Sequence, residues 1–113
     1  MRRYSTARAT GLAAELFVAM GRPVTEIHSR KSQSARTKAA DMFRAASSGV
    51  MMSSDVSARG LDYPDVTLVI QIGLPSTREQ YIHRLGRTAR AGKSGEGLLL
   101  LAPHEVGRCR LTL

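Results

Sequence analysis

The chain has 113 residues, of which 42% are hydrophobic and 23% are charged. This composition provides enough apolar side chains for the core of one small domain, and it excludes an intrinsically disordered chain. No apolar run approaches the roughly 20 residues that span a membrane. Because Cys109 is the single cysteine, an internal disulfide and a cysteine-based metal site are excluded, and a reducing compartment fits.

The charge is strongly positive and is carried mostly by arginine. The formal net charge is +8, and the 17 basic residues are fourteen Arg and three Lys. Solubility alone would not favour arginine over lysine, whereas binding of phosphate groups would. Nucleic acid is therefore the leading partner, and an anionic membrane surface is second. A basic mitochondrial or secreted protein of unrelated role would have a similar charge.

Helical and strand patterns alternate along the first half of the chain. A helix is predicted over 10–20 and ends at Gly21, and a short strand follows over 23–28. Ser32 or Ser34 caps a second helix, which stops near Gly49, and a buried strand follows over 50–52.

The same alternation continues in the second half. A β-branched strand is predicted over 66–72, and Ser76 or Thr77 caps a helix that runs on through 81–92. A last strand over 98–101 is closed by Pro103. Such an alternation is typical of a parallel sheet covered by helices on both faces. Functional loops are then expected at the carboxyl ends of the strands, over 28–33, 53–62 and 73–77.

The segment 81–92 contains three arginines at intervals of three residues, Arg84, Arg87 and Arg90. On a helix these positions share one face, and three guanidiniums projected together favour an anion such as phosphate between them. A solvated charged face is the alternative. His83 and Gly86 in the same run argue against that alternative, because glycine is unfavourable inside a helix unless close packing requires it.

The loop 53–62 is small and polar and follows a buried strand directly. Its hydroxyl residues leave backbone N–H groups open to a phosphate. Asp62 is suited to hold a ribose hydroxyl, and Arg59 to pair with a carboxylate or a phosphate. A polar loop with a helix-capping Asp explains the same residues.

Taken together, 53–62 and 81–92 resemble motifs V and VI of the DEAD-box RNA helicases, which lie in the second RecA-like domain of those enzymes. The segment 28–36 resembles the family's His…Gln-x-x-Arg segment, and Thr6-Ala7-Arg8 resembles the end of motif IV. Related helicase families have Gln where this chain has His83. Ala7 stands where most members have Gly, which resembles the fungal mitochondrial group of DEAD-box chaperones. The resemblance implies a RecA-like three-layer α/β/α domain with a parallel sheet.

The resemblance also implies roles at an ATP site. Arg87 and Arg90 match the catalytic arginines that reach the γ-phosphate across the cleft between two domains, and Asp62 matches the ribose contact. Residues that couple the two domains are matched by His83, Arg84 and Arg59. ATP would bind with Mg²⁺, held mainly by the first domain, and no metal ligands are assigned to this chain.

A second set of positions matches the family's RNA-binding residues: Gln33, Arg36, Ser54, Asp55 and Gly73. These residues contact the RNA backbone in the family, so binding is expected to be independent of sequence and to weaken steeply with salt. Aromatic residues make up only 4% of the chain and Trp is absent, which argues against a base-stacking platform.

The resemblance covers only part of such an enzyme. The sequence contains neither a G-x-x-x-x-G-K-[ST] phosphate loop nor a D-E-A-D run, so a first RecA-like domain is expected to be needed for activity. The helicase domain is predicted over 6–103, with a truncation scar or short leader over 1–5, a divergent tail over 104–113, and the family's first strand missing. A truncated gene product, a fragment or an inaccurate gene model explains this arrangement, and a fused transit peptide is the weaker alternative.

Two functions of different classes follow. The chain is either the C-terminal half of an ATP-dependent RNA helicase, inactive without a first domain, or a stand-alone basic RNA-binding module without ATPase activity. An intracellular location is expected; mitochondrion, nucleus and cytoplasm stay open, with the mitochondrion favoured.

Overall fold

The computed structural model describes residues 7–54, 66–89 and 92–113. Within these ranges there are four helices and four short strands, in the order α, β, α, β, β, α, β, α. The chain divides into two compact units, residues 1–61 and 62–113. Each unit contains one parallel pair of strands.

The first unit is built around a strand–helix–strand crossover. It consists of α1 (Ala7–Ala19), β1 (Thr25–Ile27), α2 (Gln33–Ala45) and β2 (Met51–Ser53). In the parallel pair Thr25 lies opposite Met51 and Ile27 opposite Ser53. A parallel pair needs a long crossover connection, and α2 supplies it. Both helices contact β1 closely, because the buried apolar residues between them are mostly small. In the described part of this unit these residues are Ala7, Ala14, Ile27 and Ala40.

Local sequence fixes the helix ends in this unit. Ser32 caps α2, because its hydroxyl accepts a hydrogen bond from the Ala35 N–H at 3.2 Å. The predicted choice between Ser32 and Ser34 is thereby decided. At the end of α1, Gly21 has a φ of 75°, and the N–H groups of Gly21 and Arg22 donate to the carbonyls of Val18 and Phe17 at 3.0 and 2.8 Å. These are the two bonds of a Schellman cap, which confirms the predicted stop.

The second unit repeats the crossover with β3 (Leu68–Ile72), α3 (Arg78–Leu85) and β4 (Glu96–Leu100), followed by α4 (Pro103–Thr112). Leu68 lies opposite Glu96, and Ile72 opposite Leu100. Thr77 caps α3 by accepting from the Gln80 N–H at 3.1 Å. The mixed arrangement of helices and parallel strands in both units agrees with the predicted α/β class.

The predicted extent of α3 is wrong. The helix ends at Leu85 instead of running on through 81–92. Beyond it the chain tightens, because the N–H groups of Arg87 and Thr88 bond to carbonyls only three residues back, at 3.3 and 3.1 Å. Of the described arginines in this segment, Arg84 alone lies on the helix, so the expected shared helical face does not form.

Candidate nucleotide and RNA interface

The start of α2 presents two of the predicted RNA-binding side chains. Gln33 and Arg36 are three residues apart, which places them on neighbouring positions of one helix face. Gln33 is exposed and Arg36 is half-buried. The Nε of Arg36 is buried and has no hydrogen-bond partner in the described part of the chain. A buried donor of this kind is costly unless a partner satisfies it. Because the residue as a whole is only half-buried, an anionic ligand would bind through the other nitrogens of the guanidinium.

The loop that precedes α2 is held by His28. This side chain is 6% exposed, and its Nδ1 accepts from the Arg30 N–H at 3.2 Å. Because Nδ1 accepts, Nε2 carries the ring proton and donates to Glu26 Oε1 at 2.8 Å. His28 therefore fixes the path from β1 to Gln33 and is unsuited to bind a ligand itself.

Ser54 follows β2 and continues its parallel pairing, since its N–H donates to the Ile27 carbonyl at 3.2 Å. The residue is only 3% exposed. In this conformation its hydroxyl does not face solvent, so a contact with an RNA backbone would need a local rearrangement. The predicted contact remains a prediction.

Gly73 begins the loop after β3 and has a φ of 85°. Its N–H donates to the Leu100 carbonyl at 2.9 Å. The next residue, Leu74, donates its N–H to Glu105 Oε1 at 3.1 Å. One backbone hydrogen bond to β4 and one carboxylate thus fix this loop. The left-handed φ explains why glycine occupies the position.

The end of α3 carries the predicted coupling residues and one predicted catalytic arginine. His83 is exposed, whereas Arg84 and Arg87 are half-buried. The Arg87 side chain folds back along the helix, with Nε 3.4 Å from the His83 carbonyl oxygen and Nη2 3.4 Å from His83 Nε2. These contacts are long for hydrogen bonds and weak. The structure therefore brings His83 and Arg87 together.

Thr88 anchors the turn that contains Arg87. It is 6% exposed, its hydroxyl donates to the Val66 carbonyl, and its N–H donates to the Leu85 carbonyl at 3.1 Å. The turn is thereby tied to the chain that enters β3. Ala89, the next residue, has a φ of 56°, a region that non-glycine residues rarely adopt.

Four predicted site residues, Asp55, Arg59, Asp62 and Arg90, lie outside the described residues. Within the described ranges, no group of three His, Cys, Asp or Glu side chains could hold a metal ion. In the same ranges no helix is both long and apolar enough to cross a bilayer.

Comparisons with known proteins identify the family and the fold. Residues 3–92 match the helicase conserved C-terminal domain. DEAD-box ATP-dependent RNA helicase 26 of Oryza sativa subsp. japonica is 65% identical over 102 residues, which are 90% of this chain and 19% of that protein. The chain belongs to the DEAD-box RNA helicases and corresponds to their conserved C-terminal domain. The DEAD-box chain spans about a fifth of the length of the curated relatives it matches.

Fungal and solved relatives extend this result. The mitochondrial ATP-dependent RNA helicase mss116 of Aspergillus oryzae is 60% identical over 82 residues, which are 73% of the DEAD-box chain and 13% of that protein. Domain 2 of the DEAD-box helicase Mss116p, solved on an RNA duplex, superposes with a TM-score of 0.84 at 37% identity, over 94% of this chain and 43% of that one.

A second solved form of Mss116p, bound to single-stranded RNA and AMP-PNP, gives a TM-score of 0.83 at 35% identity, over 93% of this chain and 21% of that one. The predicted RecA-like fold is confirmed by these superpositions. Plant relatives and a mitochondrial fungal relative both match the chain.

Sequence reasoning missed two residues that shape the interface. Glu105 lies in the segment expected to be a divergent tail, yet it bonds to the loop at Gly73. Glu105 stands three residues after Ala102 at the start of a helix. Glu at this position commonly caps a helix N-terminus, and this spacing is the sequence pattern that predicts its role. The sequence indicates Thr88 only as part of the arginine run. Its contact with Val66 joins residues 22 apart in sequence, and no local pattern predicts it.

Proposed function

We propose that this chain is the C-terminal half of an ATP-dependent RNA helicase. It supplies arginine side chains to an ATP molecule held by a first RecA-like domain, and it contacts the RNA backbone. The observation that carries the proposal is the anchored turn after α3, which holds Arg87 beside His83 with weak contacts of 3.4 Å. Both contacts are long for hydrogen bonds, and the turn keeps the guanidinium at the end of α3.

For the Arg87 guanidinium, a phosphate oxygen is a more favourable hydrogen-bond partner than the His83 carbonyl. Hydrogen bonds from a guanidinium to a phosphate are charge-assisted, about 2.7–2.9 Å long, and stronger than neutral ones. Arg87 would therefore leave the His83 carbonyl for a γ-phosphate oxygen when the two domains close. Charge that develops on the transferring phosphoryl group is stabilised by such an arginine, which contributes roughly 10³–10⁵ in rate.

The remaining ATP contacts follow from the motif positions. Arg90 would join Arg87 on the γ-phosphate, Asp62 would accept from the ribose, and Arg59, His83 and Arg84 would contact the first domain. The Mg²⁺ ion and the attacking water belong to that first domain. The chain's own residues bind and orient phosphate oxygens.

RNA contacts are assigned to the start of α2 and to the loops after β2 and β3. Arg36 has a buried Nε without a partner among the described residues, and Gln33 is exposed beside it. Ser54, Asp55 and Gly73 would contact the backbone from the loops after β2 and β3. Solved relatives are bound to duplex and single-stranded RNA, which supports RNA binding by this domain.

A stand-alone RNA-binding module is the second candidate, favoured by the net charge of +8. ATP turnover with RNA present separates the two functions. The chain alone is expected to be inactive, and a mixture with the separately produced first domain of a DEAD-box helicase is expected to hydrolyse ATP. Turnover by the chain alone would contradict both candidates, while RNA binding without turnover in the mixture would favour the module.

A further inference from the structure

We infer that Gly95 is a positioning residue whose missing side chain allows the segment before β4 to hold the turn that carries Arg87. Gly95 lies one residue before β4, outside the arginine run, and has no role in the function proposed above. The expected effect on turnover rests on that proposed function. The geometric part of the inference does not.

Gly95 lies against the turn so closely that no side chain fits. A Cβ built at this position would be 2.7 Å from the Ala89 nitrogen and 2.9 Å from Thr88 Cβ, and it would overlap Thr88 Oγ1. Two of these atoms are a backbone nitrogen and a Cβ, which cannot rotate away. Any residue other than glycine must therefore displace the turn itself.

The turn needs such support because its own conformation is unfavourable. Ala89 has a φ of 56°, and a non-glycine residue keeps this geometry only where its surroundings enforce it. Thr88 supplies one restraint through its hydroxyl bond to the Val66 carbonyl. The backbone at Gly95, one residue before β4, packs against the turn and supplies the second. Arg87 directly precedes the restrained pair, so its position depends on both.

The chain contains a matched control two residues away. A Cβ at Gly97 would overlap Leu85 Cδ1 and lie 3.6 Å from Leu85 Cγ. The overlapping atom is the end of a flexible side chain, which can adopt another rotamer. Gly95→Ala and Gly97→Ala thus add the same methyl group beside the same helix end, but only the former pushes on the backbone of the turn.

The test compares these variants in the full chain mixed with a first RecA-like domain. Gly95→Ala is expected to lower kcat by about 100-fold, the loss that a displacement of about 1 Å causes at a reacting group, with little change in KM for ATP. Gly97→Ala is expected to stay within about twofold of wild type, because a leucine rotamer absorbs the added methyl. In an Arg87→Ala background, Gly95→Ala is expected to cause no further loss, because it acts through Arg87.

A second readout is independent of ATP. In ¹⁵N-HSQC spectra of the chain alone, Gly95→Ala is expected to shift the amide signals of Arg87, Thr88 and Ala89 and to leave that of Leu74 in place. Thr88→Val, which removes the hydroxyl and keeps the side-chain shape, is expected to shift the same signals, because it removes the other restraint on the turn. The inference would be overturned if these signals did not move in either folded variant. It would also be overturned if Gly95→Ala kept wild-type turnover while Arg87→Ala was inactive. Wild-type turnover by Arg87→Ala would instead overturn the proposed function, with the amide signals still deciding the role of Gly95.

Discussion

Glu105 and Leu74, 31 residues apart, are joined by a hydrogen bond of 3.1 Å from the Leu74 N–H to Glu105 Oε1. The other carboxylate oxygen accepts from the Ala102 N–H at 2.8 Å. Both hydrogen bonds lower the pKa of Glu105, and the bond from Leu74 has the larger effect. One carboxylate thus ties the loop that begins at Gly73 to the start of α4.

Replacing Glu105 by Gln should loosen this loop. The amide keeps one acceptor oxygen, but its nitrogen cannot accept from a backbone N–H, so one of the two bonds is lost. We expect faster amide hydrogen exchange at Leu74 or Ala102 in the variant. Glu15→Gln, an exposed change in the middle of α1, is the control and should leave both rates unchanged.

The same bonds predict a pH dependence with a definite sign. Because the folded-state pKa of Glu105 is lowered, its contribution to stability is full above the unfolded value of about 4.3 and is lost as the pH falls through the folded value. Below about pH 4.3, the midpoint temperature of thermal unfolding should therefore fall more steeply for the wild type than for Glu105→Gln. Parallel curves for the two proteins would refute the assignment.

Removal of the Ser32 cap should destabilise α2 and the residues at its start. Ser32→Ala loses the acceptor for the Ala35 N–H, and such a loss typically costs about 1 kcal/mol. Ser34→Ala, which lies within the helix, should cost clearly less. Urea denaturation measures both, and an equal loss in the two variants would argue against Ser32 as the cap.

Arg36 should contribute one phosphate contact to RNA binding. Arg36→Ala is expected to reduce the slope of log affinity against log salt by about 1 in magnitude, without a change in sequence preference. Arg44→Ala removes the same charge from the same helix, but Arg44 pairs with Asp41 at 2.8 Å. If both variants change the slope equally, net charge rather than a specific contact would explain binding.

Ala89→Gly should relieve the left-handed backbone at the turn after α3. A φ of 56° costs a non-glycine residue roughly 1–2 kcal/mol, from which the greater flexibility of unfolded glycine must be subtracted. We expect a net gain of up to about 1 kcal/mol in the free energy of unfolding. Ala39→Gly in the middle of α2 should instead lose about 1 kcal/mol, and a loss in both variants would contradict the strain at Ala89.

Much of the fold could be predicted because it depends on local chemistry. Gly21 stops α1 with the expected cap, Thr77 starts α3, and β-branched residues fill β3. Parallel pairing followed from the alternation of strands and helices. The same logic placed Gly73 at the end of a strand and Arg36 near the start of a helix, whereas His83 was expected inside a longer helix and lies in the last turn of α3.

What could not be predicted depends on contacts between distant residues. The arginine spacing predicts a continuous helix. The structure has a turn after Leu85 instead, which is favoured by the bond from Thr88 to Val66 and by the close approach of Gly95, which has no side chain. Pro103 was expected only to close a strand, yet its fixed φ also suits the first position of α4. Helical periodicity carries no information about a partner 22 residues away.

The central claim is that Arg87 acts on ATP across a domain boundary, and the most direct measurement is RNA-stimulated ATP hydrolysis by the chain mixed with a first RecA-like domain. Arg87→Ala should reduce kcat by roughly 10³-fold or more while the affinity for RNA stays at the wild-type value. Arg108→Ala, an exposed position on α4, should retain full turnover. Wild-type turnover by Arg87→Ala, in a mixture whose activity depends on both components, would contradict the account.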